Sequence, residues 1–169
     1  MTRFSFAIAA LSGALLLAGC STPKPVDATP PPSGGYSTPP ATSTIVPGSA
    51  EDLRVNVGDT VHFAYNAYNI EDNDKATLQR QAAWLAKYPA IRVTVEGDCD
   101  ERGTREYNLA LGARRANAVK EYLISLGVSA GRVETIAYGK EHPICTESTE
   151  DCWAQNRRGV TTISGGANS

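Results

Sequence analysis

Eight of the ten prolines fall between Pro23 and Pro47, mixed with Ser, Thr, Gly and Ala and showing no apolar period. Such a stretch has little to bury and leans to extended polyproline II. It divides the chain of 169 residues into a short leader, a tether and one remaining segment. That last segment is about 110 residues long, enough for one domain with one core. The boundaries read from the sequence are 1–19 for the leader, 20–58 for the tether and 59–169 for the domain. At about 3.1 Å per residue the tether reaches roughly 100 Å.

The leader sets the expected compartment. Arg3 precedes an apolar run over positions 4–17, too short to span a bilayer comfortably and typical of a secretory signal. It ends in Leu17-Ala18-Gly19-Cys20, which resembles the bacterial lipobox, and that resemblance makes Cys20 the lipidated mature N-terminus. Several acyl chains anchor stably where one is marginal, since each buried methylene contributes about 0.8 kcal/mol. Ser21 stands where inner-membrane lipoproteins carry an Asp, so the expected location is the outer membrane. A net charge of −2 gives no electrostatic footprint for nucleic acid.

The domain segment alternates strand and helix signals. Positions 61–65 alternate briefly, and then Leu78, Ala82 and Leu85 keep helical spacing until Pro89. Positions 91–95 alternate strictly. After a loop over 97–104, a long helical pattern runs to Leu126 and stops at Gly127. Further strands are expected at 133–138 and 160–163. A long helical crossover between the strands at 91–95 and 133–138 argues for parallel pairing. The expected fold is an α/β (α+β) sandwich, a βαβαβ-type mixed sheet with helices packed on one face.

One residue breaks the pattern. At 100° per residue from Asn108, Leu111 falls at about 300°, Arg115 at about 340°, Val119 at about 20° and Leu126 at about 0°. Arg115 therefore lies on the core-facing stripe, whereas Arg114, at about 240°, points to water. A buried guanidinium needs partners, because an unpaired buried charge costs several kcal/mol. Helical side chains lean toward the N-terminus, so Arg115 is expected to aim at the loop carrying Asp98, Asp100 and Glu101. A structural salt bridge and a ligand site both remain open on these grounds.

The pattern Asn108-x-x-Leu111-x-x-x-Arg115-Ala116-x-x-Val119-x-x-x-Leu123 closely resembles the signature helix of OmpA-like peptidoglycan-binding domains. The run from Gly97-Asp98-Cys99-Asp100 through Gly112, together with Tyr138-Gly139-Lys140-Glu141 and Asn156-Arg157-Arg158, extends the resemblance over about residues 55 to 163. The resemblance implies non-covalent binding of the cell wall. An aspartate of the loop and an arginine of the helix grip diaminopimelate in the stem peptide, here Asp100 and Arg115 by motif position.

The chemistry suits those residue types. A zwitterionic amino-acid terminus needs one anion for its ammonium and one cation for its carboxylate, and a planar guanidinium meets the carboxylate with two parallel bonds. Asn108 and Thr104 are candidates for added hydrogen bonds or, for Thr104, for capping the helix. Arg157 is a secondary candidate that also reads as half of an exposed, solvated Arg pair. Lipidated members of the family engage the Tol translocation system through its periplasmic β-propeller, which makes Tol proteins expected partners.

The chain departs from the family in places. Many members carry His and Thr in place of Asp98 and Cys99, and acids in place of Ala64 and Asn66. These changes put a strand carboxylate contact at Asn66 in question and leave Asp98 either compensating or solvated. Cys145 and Cys152, in a short polar segment that reads as irregular, are expected to form a disulfide in an oxidising compartment. Cys99 reads as a half-buried thiol. No metal or cofactor is implied: His142 is the only imidazole near the cysteines, and no CxxC spacing exists. Neither His62 nor His142 sits in a catalytic motif, so an enzyme is not expected.

Overall fold

The computed structural model describes residues 45–167. The leader, Cys20 and most of the tether lie outside the described residues.

The first element begins inside the stretch read as tether. Ser49 caps a short helix, α1 (Ala50–Asp52), through its hydroxyl, which accepts from Asp52 N–H at 3.1 Å. The helix runs on as a π-helical turn over Leu53–Val57 and closes at Gly58, where φ is +89°. Leu53 and Val57, four residues apart, both enter the hydrophobic core. The Asp52 carboxylate accepts from Gly48 N–H at 2.8 Å, from Trp84 Nε1 at 2.9 Å and from Asn56 Nδ2 at 2.8 Å. The tether boundary at 58 is therefore corrected: residues 50–57 fold as part of the domain.

Four strands and three longer helical elements follow: β1 (Thr60–His62), α2 (Asp72–Lys87), β2 (Arg92–Asp98), α3 (Arg105–Ser125), β3 (Val133–Gly139), α4 (Glu150–Asn156) and β4 (Arg158–Gly165). The sheet order is β1-β4-β2-β3. β2 and β3 run parallel across the α3 crossover, and β4 is antiparallel to both β1 and β2, so the sheet is mixed as expected. Val93 and Val95 of β2 are fully buried against Leu78 and Leu85 of α2 and Val119 and Leu123 of α3. The Thr162 hydroxyl, on the neighbouring strand, has two acceptors within reach, the Glu96 carboxylate at 3.0 Å and the Thr94 backbone carbonyl at 3.2 Å.

Two features aim α3 at the strand ends. At its C-terminus, Val128 N–H donates to Leu123 C=O and Gly127 N–H to Ile124 C=O, a Schellman closure with Gly127 at φ +96°. Leu126, placed on the inner stripe by periodicity, is 37% exposed because the helix has already closed there. Near its N-terminus, α3 lies so close to β2 that a Cβ on Gly97 would sit 1.9 Å from the Gly112 carbonyl oxygen. Glycine at both positions permits this contact, which brings the first turns of α3 against the end of β2.

β1 is shorter than the alternating run at 61–65. Phe63 still donates its N–H to Arg157 C=O at 2.9 Å, but the chain then turns, with Asn66 at φ +55°. Among the described residues, no helix is long and apolar enough to cross a membrane.

Candidate functional site

Arg115 is fully buried on α3, beside Leu111, Ala116 and Val119. Its guanidinium donates to three backbone carbonyls: Ala67 at 2.8 Å, Asp98 at 2.8 Å and Ala64 at 3.1 Å. Its central carbon Cζ lies over the Phe63 ring, 5.1 Å from the ring centre. It reaches back to the end of β2, as side-chain direction on a helix requires, but it meets the Asp98 main chain and not a side-chain carboxylate. Among the described residues no carboxylate forms an ion pair with it. Burial lowers its pKa, opposed by the neighbouring Cys99 and Asp100, yet a guanidinium keeps its proton.

Asp100 is 5% exposed. It pairs with Arg102 Nη2 at 2.6 Å and Arg157 Nη1 at 3.4 Å. Burial raises its pKa, but the side-chain and backbone hydrogen bonds from Arg102 and the Arg102 charge outweigh this and hold it below the usual carboxylate range. The other two loop acids turn elsewhere. Glu101 accepts from Ser148 Oγ at 2.6 Å and Trp153 Nε1 at 2.9 Å.

Asp98 is neither solvated nor in the site. It is 1% exposed, faces Arg158 Nη2 at 3.3 Å, and neither carboxylate oxygen receives a hydrogen bond. Burial drives its pKa up to about 6 despite the pull of Arg158.

A cavity of about 210 Å³ opens over this corner, lined by Arg115 and Asp100 together with Asn66, Tyr65, Arg102, Tyr107 and other residues of the loop and α3. Asn66, Asn108, Asp100 and Arg115 are thus brought together. Asn108 is 2% exposed and donates from Nδ2 to Arg102 C=O at 2.7 Å and Thr104 C=O at 3.1 Å, so it also fixes the loop. Asn66 accepts from the Tyr107 hydroxyl.

Of the two roles open to Thr104, the structure shows the cap: its hydroxyl accepts from Tyr107 N–H at 3.2 Å at the start of α3, and it does not line the cavity. The exposed Arg pair is also corrected, because Arg157 and Arg158 are each 7% exposed. Arg157 bonds Phe63 C=O at 3.0 Å and Glu150 at 2.8 Å as well as Asp100, and so holds the site's carboxylate from behind.

Sequence reasoning passed over Tyr65, Arg102 and Tyr107. Arg102 packs on the Tyr65 and Trp153 rings, 4.1 Å from each ring centre. Tyr65 is 62% exposed, an aromatic displayed at the end of an alternating strand, and that was the available signal.

The segment behind Trp153 is a capped helix where irregular chain was expected. Thr149 Oγ1 accepts from Cys152 N–H, and Cys145 is bonded to Cys152 with Cα atoms 5.2 Å apart. Cys99 is fully buried, not half-buried, and its thiol, pushed up by burial to about 11, donates to Asn108 C=O.

A mixed sheet covered by helices, with a buried arginine and a carboxylate opening into one cavity at the strand ends, defines a small α/β binding domain. The OmpA family profile matches residues 62–157. The chain is 48% identical over 94% of its length, and 88% of the relative's, to the peptidoglycan-associated lipoprotein of Agrobacterium fabrum. It is 50% identical over 95% of its length, and 88% of the relative's, to that of Rhizobium meliloti. The crystal structure of the peptidoglycan-associated lipoprotein from Burkholderia pseudomallei superposes with a TM-score of 0.61 at 40% identity, over 63% of this chain and 90% of that one. The chain belongs to the OmpA family, among its peptidoglycan-associated lipoproteins.

Proposed function

We propose that this chain is an outer-membrane lipoprotein, anchored through Cys20, whose domain binds peptidoglycan without covalent chemistry by holding diaminopimelate between Asp100 and Arg115. The observation that carries the reading is the state of Arg115. It is a fully buried cation whose hydrogen bonds end on neutral carbonyls, in the wall of an open cavity that also contains an ionised aspartate. A carboxylate entering that cavity supplies the missing counter-charge in a partly desolvated place, where charge-assisted bonds are strong. Its neighbouring ammonium falls to Asp100. Relatives named for their association with peptidoglycan support the ligand class.

Co-sedimentation of the lipoprotein with intact, purified sacculi tests the reading. The protein is expected in the pellet, with no soluble wall fragments released. A protein that stays in the supernatant contradicts wall binding, and released fragments point to a hydrolase.

The proposal extends to the Tol system and envelope integrity. Tyr65, Tyr68 and Tyr107 are 62%, 50% and 44% exposed, and exposed aromatics are typical anchors of protein interfaces. They favour a second reading in which the Tol periplasmic β-propeller docks over the cavity mouth and wall retention is secondary.

A further inference from the structure

Asp100 has no acceptor position to spare. Its Oδ1 accepts the backbone N–H and the Nε of Arg102, both at 3.1 Å, and its Oδ2 accepts Arg102 Nη2 at 2.6 Å and Arg157 Nη1 at 3.4 Å. An ionised carboxylate offers about four lone-pair positions, so an arriving ammonium must displace a donor. Arg157 is not the one to yield, because its side chain is 8% exposed, is held also by Phe63 C=O and Glu150, and does not line the cavity. Arg102 does line the cavity, and its side chain is 28% exposed. Packing on Tyr65 and Trp153 keeps its guanidinium at the mouth whichever anion its edge meets.

We propose that Arg102 exchanges ion-pair partners when ligand binds. The ligand's ammonium takes its place on Asp100, and the freed edge of Arg102 takes a second carboxylate of the same peptide, contributed by the stem glutamate or by the C-terminal residue. This rests on the diaminopimelate reading and sharpens it: the recognised unit is a zwitterion with a further acid nearby. The charges agree. Among the described residues Arg102 and Arg157 pair with Asp100 and Glu150 in this corner and Arg115 pairs with no carboxylate, so three cations meet two anions, and a zwitterion alone leaves that surplus cation unchanged. A ligand with an additional carboxylate neutralises it. Arg102 thereby selects against partial ligands, since a peptide without the second acid must break the Arg102–Asp100 pair and return nothing to the guanidinium.

The test is calorimetric titration of the detergent-solubilised full chain with three synthetic diaminopimelate tetrapeptides: both acids free, the glutamate carboxylate amidated, and the C-terminus amidated. One amidation is expected to weaken the parent protein at least about tenfold, the loss of a charged pair, and it identifies the acid that Arg102 reads. The same amidation should change Arg102→Gln by less than about twofold. On that amidated peptide Arg102→Gln should bind at least as tightly as the parent, because Asp100 is already vacated. If the parent binds all three peptides equally, or both proteins lose equally on amidation, the exchange is overturned and the diaminopimelate reading stands. If the parent binds none of the three, both fall. If Arg102→Gln fails to fold, equal binding of all three peptides by the parent still overturns the exchange, and Arg102→Lys takes the place of Arg102→Gln in the comparison.

Discussion

Arg115 and Asp100 line one cavity and do not pair with each other. Asp100 is engaged by Arg102 and Arg157, while Arg115 directs three of its five N–H donors to the carbonyls of Ala64, Ala67 and Asp98. A structural salt bridge across the corner would have joined the two. Their separation leaves Arg115 fixed in position, charged, and without an anion until a ligand brings one.

That geometry separates Arg115 from its neighbour. Arg115→Lys exchanges a planar fork reaching three carbonyls for one compact ammonium, and is expected to destabilise the domain by roughly 2 to 4 kcal/mol and to leave binding unrepaired. Arg114 is exposed, and its guanidinium lies 5.7 Å from the centre of the Tyr68 ring. Arg114→Ala is expected to stay within about 0.5 kcal/mol of the parent. Denaturant unfolding of both variants checks the contrast, and equal losses would contradict it.

The Cys145–Cys152 bridge closes a short loop and should contribute roughly 2 kcal/mol by limiting the unfolded chain. It also backs Trp153 and Ser148, which hold Glu101 beside the site. Mass analysis of denatured periplasmic protein, alkylated without reductant, should show Cys99 modified and the other two protected. Alkylation at Cys145 and Cys152 would contradict the bridge.

Asp98 supplies a pH dependence of unusual sign. Its pKa is raised from 3.8 to about 6 in the fold, so between those values the folded state binds more protons than the unfolded one. The contribution of Asp98 to stability is therefore present below about pH 4 and lost as pH rises through about 6, by up to about 3 kcal/mol. Asp98→Asn should lack this decline. The measurement is the difference in unfolding free energy between parent and variant from pH 4 to 7, and parallel profiles would show that Asp98 is ionised throughout.

The anchor is tested separately. The thioether needs a thiol, so Cys20→Ser should leave an unlipidated precursor that fails to incorporate an acyl-chain probe. Label retained by the variant would contradict the lipobox assignment.

The parts of the fold legible in the sequence are those where one period runs long. α3 keeps its stripe over 21 residues, so its stop at Gly127 and the misplaced Arg115 both stand out. β2 and β3 follow from alternation on either side of that crossover. Residues 50–57 were not legible as helix, because Leu53, Val55 and Val57 alternate with polar residues as a strand would and follow a proline-rich run. α4 is seven residues long and mostly polar, held by the Thr149 cap and the disulfide, and neither leaves a periodic trace. The burial of Arg157 and Arg158 depends on Asp100 and Asp98, more than fifty residues away, and local pattern carries no information at that distance. The occupation of Asp100 by Arg102 is different: the two are only two residues apart in sequence, but no periodic pattern marks the turn that brings one onto the other.

The central claim is that Asp100 and Arg115 jointly hold a zwitterion, and calorimetric titration with a diaminopimelate-containing stem peptide tests it most directly when thermal unfolding of each protein is followed in parallel. Removing either partner leaves one ligand charge unpaired in a partly desolvated cavity, at a cost of about 2 to 5 kcal/mol. Asp100→Ala and Arg115→Ala are each predicted to bind at least about tenfold more weakly than the parent while still folded at the titration temperature. Folded variants that bind at the parental affinity would place the ligand elsewhere and contradict the account.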